Sequence, residues 1–162
     1  MIVERPALER RILASLDAGR IPVLLGGCGT GRTSLLLRIE TRLGRDRSQY
    51  LDMAAAASTP EHCLAAVRAA AHVPWPAAAP ARSSPKQAFL DLHDGFDRAT
   101  SPQGGPIAWL LDEFADVRVF ENFPGLRDVQ RETVARLAAS PAPRRSARYA
   151  IAGPIRECRR SE

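Results

Sequence analysis

The chain predicts an α/β fold with a mostly parallel sheet and helices on its faces, and three observations carry that prediction. Short apolar runs, at residues 21–25 and 107–111, alternate with stretches of helical periodicity. A glycine-rich segment at residues 26–34 joins the first run directly to a helical pattern. Strands that alternate with helices pair in parallel, because each helical crossover carries the chain back to start the next strand in the same direction. A chain of 162 residues supports one such core rather than two.

Each element has a local reason. Pro6 opens a helical pattern with Leu8, Ile12, Leu13 and Leu16 on one side, and Gly19 offers a left-handed cap to end it. Residues 21–25 form a continuous apolar run, as expected of a parallel strand covered on both faces. Beyond the glycine segment, Leu35, Leu36, Ile39 and Leu43 recur at helical spacing until Gly44. Residues 48–53 read as a weaker strand, followed by an alanine run and a helix over residues 60–72. Pro74, Pro76, Pro80 and Pro85 exclude a regular helix over residues 73–85, which read as a Pro/Ala-rich internal loop that splits the domain without ending it. A helix over residues 86–99 turns Phe89, Leu92 and Phe96 inward, and turn-rich residues 101–106 lead into the apolar strand 107–111. The last helix, 125–139, has Leu126, Val129, Val134 and Leu137 as its buried set; Pro141 and Pro143 break it before a fourth strand at residues 148–153. The expected organisation is one domain over residues 1–153, with residues 154–162 a basic tail or the start of a truncated region.

Composition narrows the function. Apolar residues make up 45% and charged residues 25%, and no apolar stretch approaches the roughly 18 to 20 residues of a membrane span, so a soluble, cytoplasmic protein without a membrane partner is expected. Cys28, Cys63 and Cys158 are widely separated and odd in number, which suggests reduced thiols rather than a disulfide framework or a metal site. The net charge is +5, and the last 19 residues, with Arg144, Arg145, Arg148, Arg156, Arg159 and Arg160, carry +4 of it. That end could contact nucleic acid or an acidic partner, although a solvated terminus is the commoner explanation of a short arginine cluster. His62, His72 and His93 lack metal-ligand spacing, and Trp75 and Trp109 read as packing residues.

Two motifs carry chemistry. Residues 26–34, Gly-Gly-Cys-Gly-Thr-Gly-Arg-Thr-Ser, fit the phosphate-binding pattern G-x-x-x-x-G-K-[ST] except that Arg32 stands at the lysine position. Glycines let successive backbone N–H groups face a phosphate, and the following helix adds its positive end. Gly26, Gly27, Cys28, Gly29, Thr30, Gly31, Arg32, Thr33 and Ser34 are therefore the candidate nucleotide-binding residues, with Thr33 placed to ligate magnesium. Lysine is a compact charge, whereas the planar guanidinium of Arg32 binds two oxygens in a fixed fork, so binding is expected to survive better than catalysis. The second motif is the apolar strand 107–111 ending in Asp112 and Glu113, a Walker B pattern. Asp112 would hold the magnesium through water, and Glu113 would polarise the attacking water as general base, with Arg32 the second candidate catalytic group.

These motifs resemble those of P-loop ATPases of the AAA-type superfamily, in particular the origin-recognition-like and signal-transducing (STAND-like) ATPases. The specific parts are Gly26-Gly-Cys-Gly-Thr-Gly-Arg-Thr-Ser-Leu-Leu and Leu110-Leu-Asp-Glu-Phe, and the likeness runs from Arg5 to Gly153. The resemblance implies a three-layer αβα P-loop NTPase fold, a central phosphate-loop strand, ATP with Mg2+ as cofactors, and conformational work coupled to the nucleotide. The chain departs from the pattern in Arg32 and in the lack of a polar sensor after the fourth strand, and the expected fold is without the C-terminal lid. No Asn-Lys-x-Asp motif favours guanine and no Leu-Ser-Gly-Gly signature favours a transporter ATPase, so adenine is preferred by elimination.

The leading expectation is an ATP-binding module that is a slow or conditional ATPase and works as a nucleotide-dependent switch on a protein partner or a homo-oligomer. The alternatives are a catalytically inactive scaffold for protein association and a DNA-associated ATPase fragment.

Overall fold

The computed structural model describes residues 5–75, 84–139 and 147–154. The elements run α1 (Pro6–Asp17), β1 (Val23–Gly26), α2 (Arg32–Leu43), β2 (Ser48–Asp52), α3 (Met53–Ala56), α4 (Pro60–Ala70), α5 (Pro85–Arg98), β3 (Ile107–Asp112), a 3₁₀ helix (Phe114–Asn122), α6 (Val129–Ala139) and β4 (Ala147–Pro154). Proline stands in the first turn of α1, α4 and α5, where its missing N–H costs nothing. Thr59 and Ser84 cap α4 and α5 by accepting the N–H groups of His62 and Gln87. The alanine run after β2 forms the short helix α3, because Asp52 accepts the N–H groups of Ala54 and Ala55 and so starts a turn.

The four strands form one parallel sheet in the order β1-β4-β3-β2. Three layers result. On one face α1 and α2 bury Ile12, Leu16, Leu35, Leu36 and Ile39 against Leu24, Leu110, Ala150 and Ala152. On the other, α4, α5, α6 and the 3₁₀ helix pack over Leu51, Ile107, Trp109, Leu111, Tyr149 and Ile151. All six residues of β3 are buried, the five apolar residues 107–111 as expected of a strand covered on both faces and then Asp112.

Two expectations about β1 are overturned. The strand lies at the edge of the sheet rather than centrally, because β4 occupies the place beside it and no other described strand flanks it. Nor is it covered on both faces: Leu24 and Gly26 turn towards α1 and α2, whereas Val23 and Leu25 are 59% and 64% exposed. Val134, expected in the core, is also exposed, since α6 meets the sheet along Val129 and Leu137.

Trp75 and Trp109 pack as anticipated, edge to face with each other and with Phe96. Gly95 makes this possible: a Cβ there would lie 1.9 Å from the Trp75 ring. His93 is buried, with Nε2 3.3 Å from the Thr133 hydroxyl. His72 contacts the Ser48 carbonyl at 2.9 Å and His62 the Ala56 carbonyl at 3.3 Å. Of the proline-rich loop expected over residues 73–85, Pro85 instead opens α5 behind the Ser84 cap, and residues 76–83 lie outside the described residues, as do Pro141, Pro143, Arg144, Arg145 and the tail at 155–162 with Arg156, Cys158, Arg159 and Arg160. No helix among the described residues is long and apolar enough to cross a membrane.

Candidate functional site

β1 and β3 are parallel, so the glycine loop that follows β1 and the acid pair that ends β3 emerge at the same edge of the sheet, on either side of β4. Ligands of open α/β sheets bind at this carboxyl end. The loop turns there because Gly29 and Gly31 adopt φ of 74° and 78°, a left-handed conformation that favours glycine. Gly31 is also the N-cap of α2, and no side chain caps that helix. Its first-turn N–H groups therefore have no intrahelical partner and face the loop mouth. Thr30 closes the turn by donating its hydroxyl to the Gly27 carbonyl at 2.9 Å. Gly26 allows that closure, since a Cβ would lie 2.6 Å from the Thr30 hydroxyl oxygen.

Arg32 folds back across this loop. Its guanidinium donates one hydrogen bond to the Gly26 carbonyl and a second, at 2.6 Å, to Glu113 Oε1. The two side chains are 11% and 33% exposed, so the ion pair is partly withdrawn from water. Glu113 has φ 46° and ψ 39°, a left-handed conformation that a side chain makes costly and that recurs at functional sites. One residue earlier, Asp112 is buried and fully partnered. Its Oδ2 accepts hydroxyls from Thr33 at 2.5 Å and Tyr50 at 3.1 Å, and its Oδ1 accepts the Glu113 N–H at 3.0 Å. Burial, reinforced by the charge of Asp112, raises the Tyr50 phenol well above the ordinary range and keeps it a donor.

The sequence candidates thus converge. Residues 26–34 form the loop and the first turn of α2, with Asp112 touching Thr33 and Glu113 touching Arg32. Cys28 is exposed on the loop and makes none of these contacts. Two features escaped sequence reasoning. Tyr50, on β2, reaches Asp112 across 62 positions of sequence, which no local pattern announces. A cleft of about 520 Å³ opens between α1 and the glycine loop, with Leu8, Ile12 and Leu35 in its lining and Arg5 and Arg11 beside them.

The residues fit a phosphate-bearing ligand. The uncapped N-terminus of α2 supplies free N–H donors, and there is open space beside Gly27, Gly29 and Gly31, where added Cβ atoms would meet nothing within 4 Å. They fit Mg2+ as well: a hydroxyl and a carboxylate already in contact provide hard oxygen donors, and a magnesium ion takes its remaining ligands from phosphates and water. Among the described residues no cluster of three or more His, Cys, Asp or Glu could hold a metal without such help. At the end of β4, Ala152 and Gly153 present no polar side chain to the site.

No protein-family model matches the sequence, and no curated protein matches it. Solved structures do. The Walker-type ATPase of Pyrococcus abyssi superposes with a TM-score of 0.61 at 16% identity, over 94% of this chain and 45% of that one. Cdc6p from Pyrobaculum aerophilum gives 0.62 at 14% identity, over 95% and 40%, and the Aeropyrum pernix ORC1 protein, solved in complex with DNA, gives 0.54 at 20% identity, over 95% and 39%. An Aeropyrum pernix ORC2 structure with ADPNP and ADP gives 0.52 at 18% identity. The chain spans less than half the length of these neighbours. Over nearly all its described length, the chain has the αβα fold of Walker-type and Orc/Cdc6 ATPases.

Proposed function

We propose that the chain is an ATP-binding P-loop domain that acts as a nucleotide-dependent switch and hydrolyses ATP slowly and conditionally. The observation that carries this reading is the pair between Arg32 and Glu113, which ties the glycine loop to the carboxylate best placed to act as base. In this arrangement residues 26–34 cradle the phosphates through backbone N–H groups, and the adenine lies in the cleft beside α1. Thr33 and Asp112 face Mg2+, which would neutralise phosphate charge.

Glu113 can polarise water only when its oxygen is free, and a carboxylate held by a guanidinium is a poorer proton acceptor. Phosphate oxygens carry more charge than a carboxylate and suit the same fork. Transfer of Arg32 from Glu113 to the phosphate would release the base as the nucleotide arrives. The enzyme is then idle when empty, and turnover depends on how completely that exchange occurs. A planar fork in place of a lysine also makes the exchange sensitive to small misplacements, which would slow the chemistry.

The nucleotide-bound neighbour and the fold support this reading, and the switch acts on an attached domain, a protein partner or a second copy.

 Arg148, one of the arginines considered for nucleic-acid contact, is instead paired with Asp17 at 2.7 Å. The deciding experiment is equilibrium titration with ATP, with and without Mg2+ and with GTP as competitor, followed by turnover of the wild type and of Glu113→Gln. Magnesium-strengthened ATP binding, and turnover that the substitution abolishes, are expected. A folded chain that binds no nucleotide would replace this reading with the scaffold.

A further inference from the structure

We propose that Tyr50 is a positioning residue that holds the Asp112 carboxylate in the orientation Mg2+ requires; this rests on the nucleotide reading above. The argument begins with how Tyr50 itself is held. It lies on β2 opposite Leu110, two positions before Asp52, which stands opposite Asp112. Its backbone N–H donates to Glu40 Oε1 at 2.8 Å, which ties β2 to the same helix that begins with Arg32 and Thr33. Its ring packs against the cluster formed by α1, α2 and the sheet. The hydroxyl is thereby delivered to Asp112 Oδ2 at 3.1 Å from a strand that carries none of the other site residues.

The carboxylate has three donors, and they are not equivalent. The Glu113 N–H fixes Oδ1, while Thr33 and Tyr50 share Oδ2. Thr33 belongs to the nucleotide loop, and its oxygen must also serve the cation, so its geometry changes with occupancy. Tyr50 has no such second duty. It restrains Oδ2 whether or not Thr33 has moved, so the carboxylate meets the cation already oriented rather than having to be ordered by it. With Asp112 2% exposed, water does not readily take over that restraint.

Tyr50→Phe isolates the hydroxyl because the ring and its packing remain. ATP affinity is measured by titration in EDTA and again in Mg2+, for the wild type, Tyr50→Phe, Asp112→Asn and the double variant, with a thermal melt of each to establish folding. The expected result is unchanged affinity in EDTA and a loss of about tenfold in the magnesium-dependent gain for Tyr50→Phe. Asp112→Asn should abolish that gain, and adding Tyr50→Phe to it should change nothing further, because both act through one carboxylate. A full magnesium gain in folded Tyr50→Phe would overturn the proposal, as would an equal weakening with and without Mg2+, which marks a packing effect. A folded wild type that binds no ATP would overturn the nucleotide reading and this inference together, whereas the first two results overturn the inference alone.

Discussion

Replacing Glu113 with glutamine should tighten ATP binding while ending turnover. In the present geometry the Arg32 guanidinium is engaged with Glu113 at 2.6 Å, with the two side chains 11% and 33% exposed. A hydrogen bond to a charged partner contributes about 1.5–3 kcal/mol, and a neutral one about 1 kcal/mol. Glutamine retains an acceptor oxygen, so the substitution removes the difference, roughly 0.5–2 kcal/mol, from what ATP must displace to capture Arg32. Since 1.4 kcal/mol is tenfold in affinity, Kd should fall by about two- to thirtyfold. Calorimetric or fluorescence titration of the purified variant in Mg2+ reads this directly. The control is the same substitution in an Arg32→Ala background, where no pair exists to be broken and the gain should vanish. Unchanged or weaker binding by a folded Glu113→Gln protein would refute the latch. Equal tightening in both backgrounds would assign the effect to the removal of a negative charge near the phosphates.

Other substitutions test the scaffold around the site. Gly31→Ala forces a side chain into φ 78° at the start of α2, in open space, so its cost is purely conformational; ATP titration should show about tenfold weaker binding, and undiminished affinity would show that the loop does not need this conformation. Gly95→Ala drives a methyl group to within 1.9 Å of the Trp75 ring and should lower the unfolding free energy by about 2 kcal/mol in urea titration, with ATP affinity unchanged. Burial, with Arg136 nearby, pushes the His93 imidazole down to about 4, against an ordinary value of about 6.5. Between those values the unfolded chain binds a proton that the folded chain refuses. Stability is therefore full above about pH 6.5 and declines as the pH falls towards 4, at up to about 1.4 kcal/mol per unit. Urea titrations at pH 7 and 5 should show that decline, and His93→Gln should make it shallower.

The fold was legible wherever a pattern is local. The apolar run of β3, the leucines of α2 and the proline that opens α1 each report their own few neighbours, and these elements formed close to where those signals stood. Gly29 and Gly31 were legible for the same reason, since a loop that turns this tightly favours glycine. What could not be read was contact across the chain. The bond between Arg32 and Glu113 spans 81 positions and that between Tyr50 and Asp112 spans 62, and neither has a spacing rule. Strand order is likewise a property of the whole sheet, which is why β1 was expected at the centre and lies at an edge. The 3₁₀ helix after Glu113 does carry a local signal: Phe114, Val117 and Phe120, all buried, repeat every three residues, which is the period of that helix.

The placement of β1 bears on how the glycine loop breathes. A strand bonded to one neighbour opens at lower free energy than one bonded to two, and its outward amides have no sheet partner to protect them. β1 has only β4 beside it among the described strands, whereas β3 lies between β4 and β2. In an amide-exchange experiment, Val23 to Gly26 should therefore lose protection well before Ile107 to Asp112. Among the described strands the two halves of the site then sit on unequal foundations: the acid pair on a strand bonded on both sides, the phosphate cradle on one bonded on a single side. Anything that slows exchange along β1 would stiffen the loop hanging from its end, while the carboxylates opposite would barely register the change.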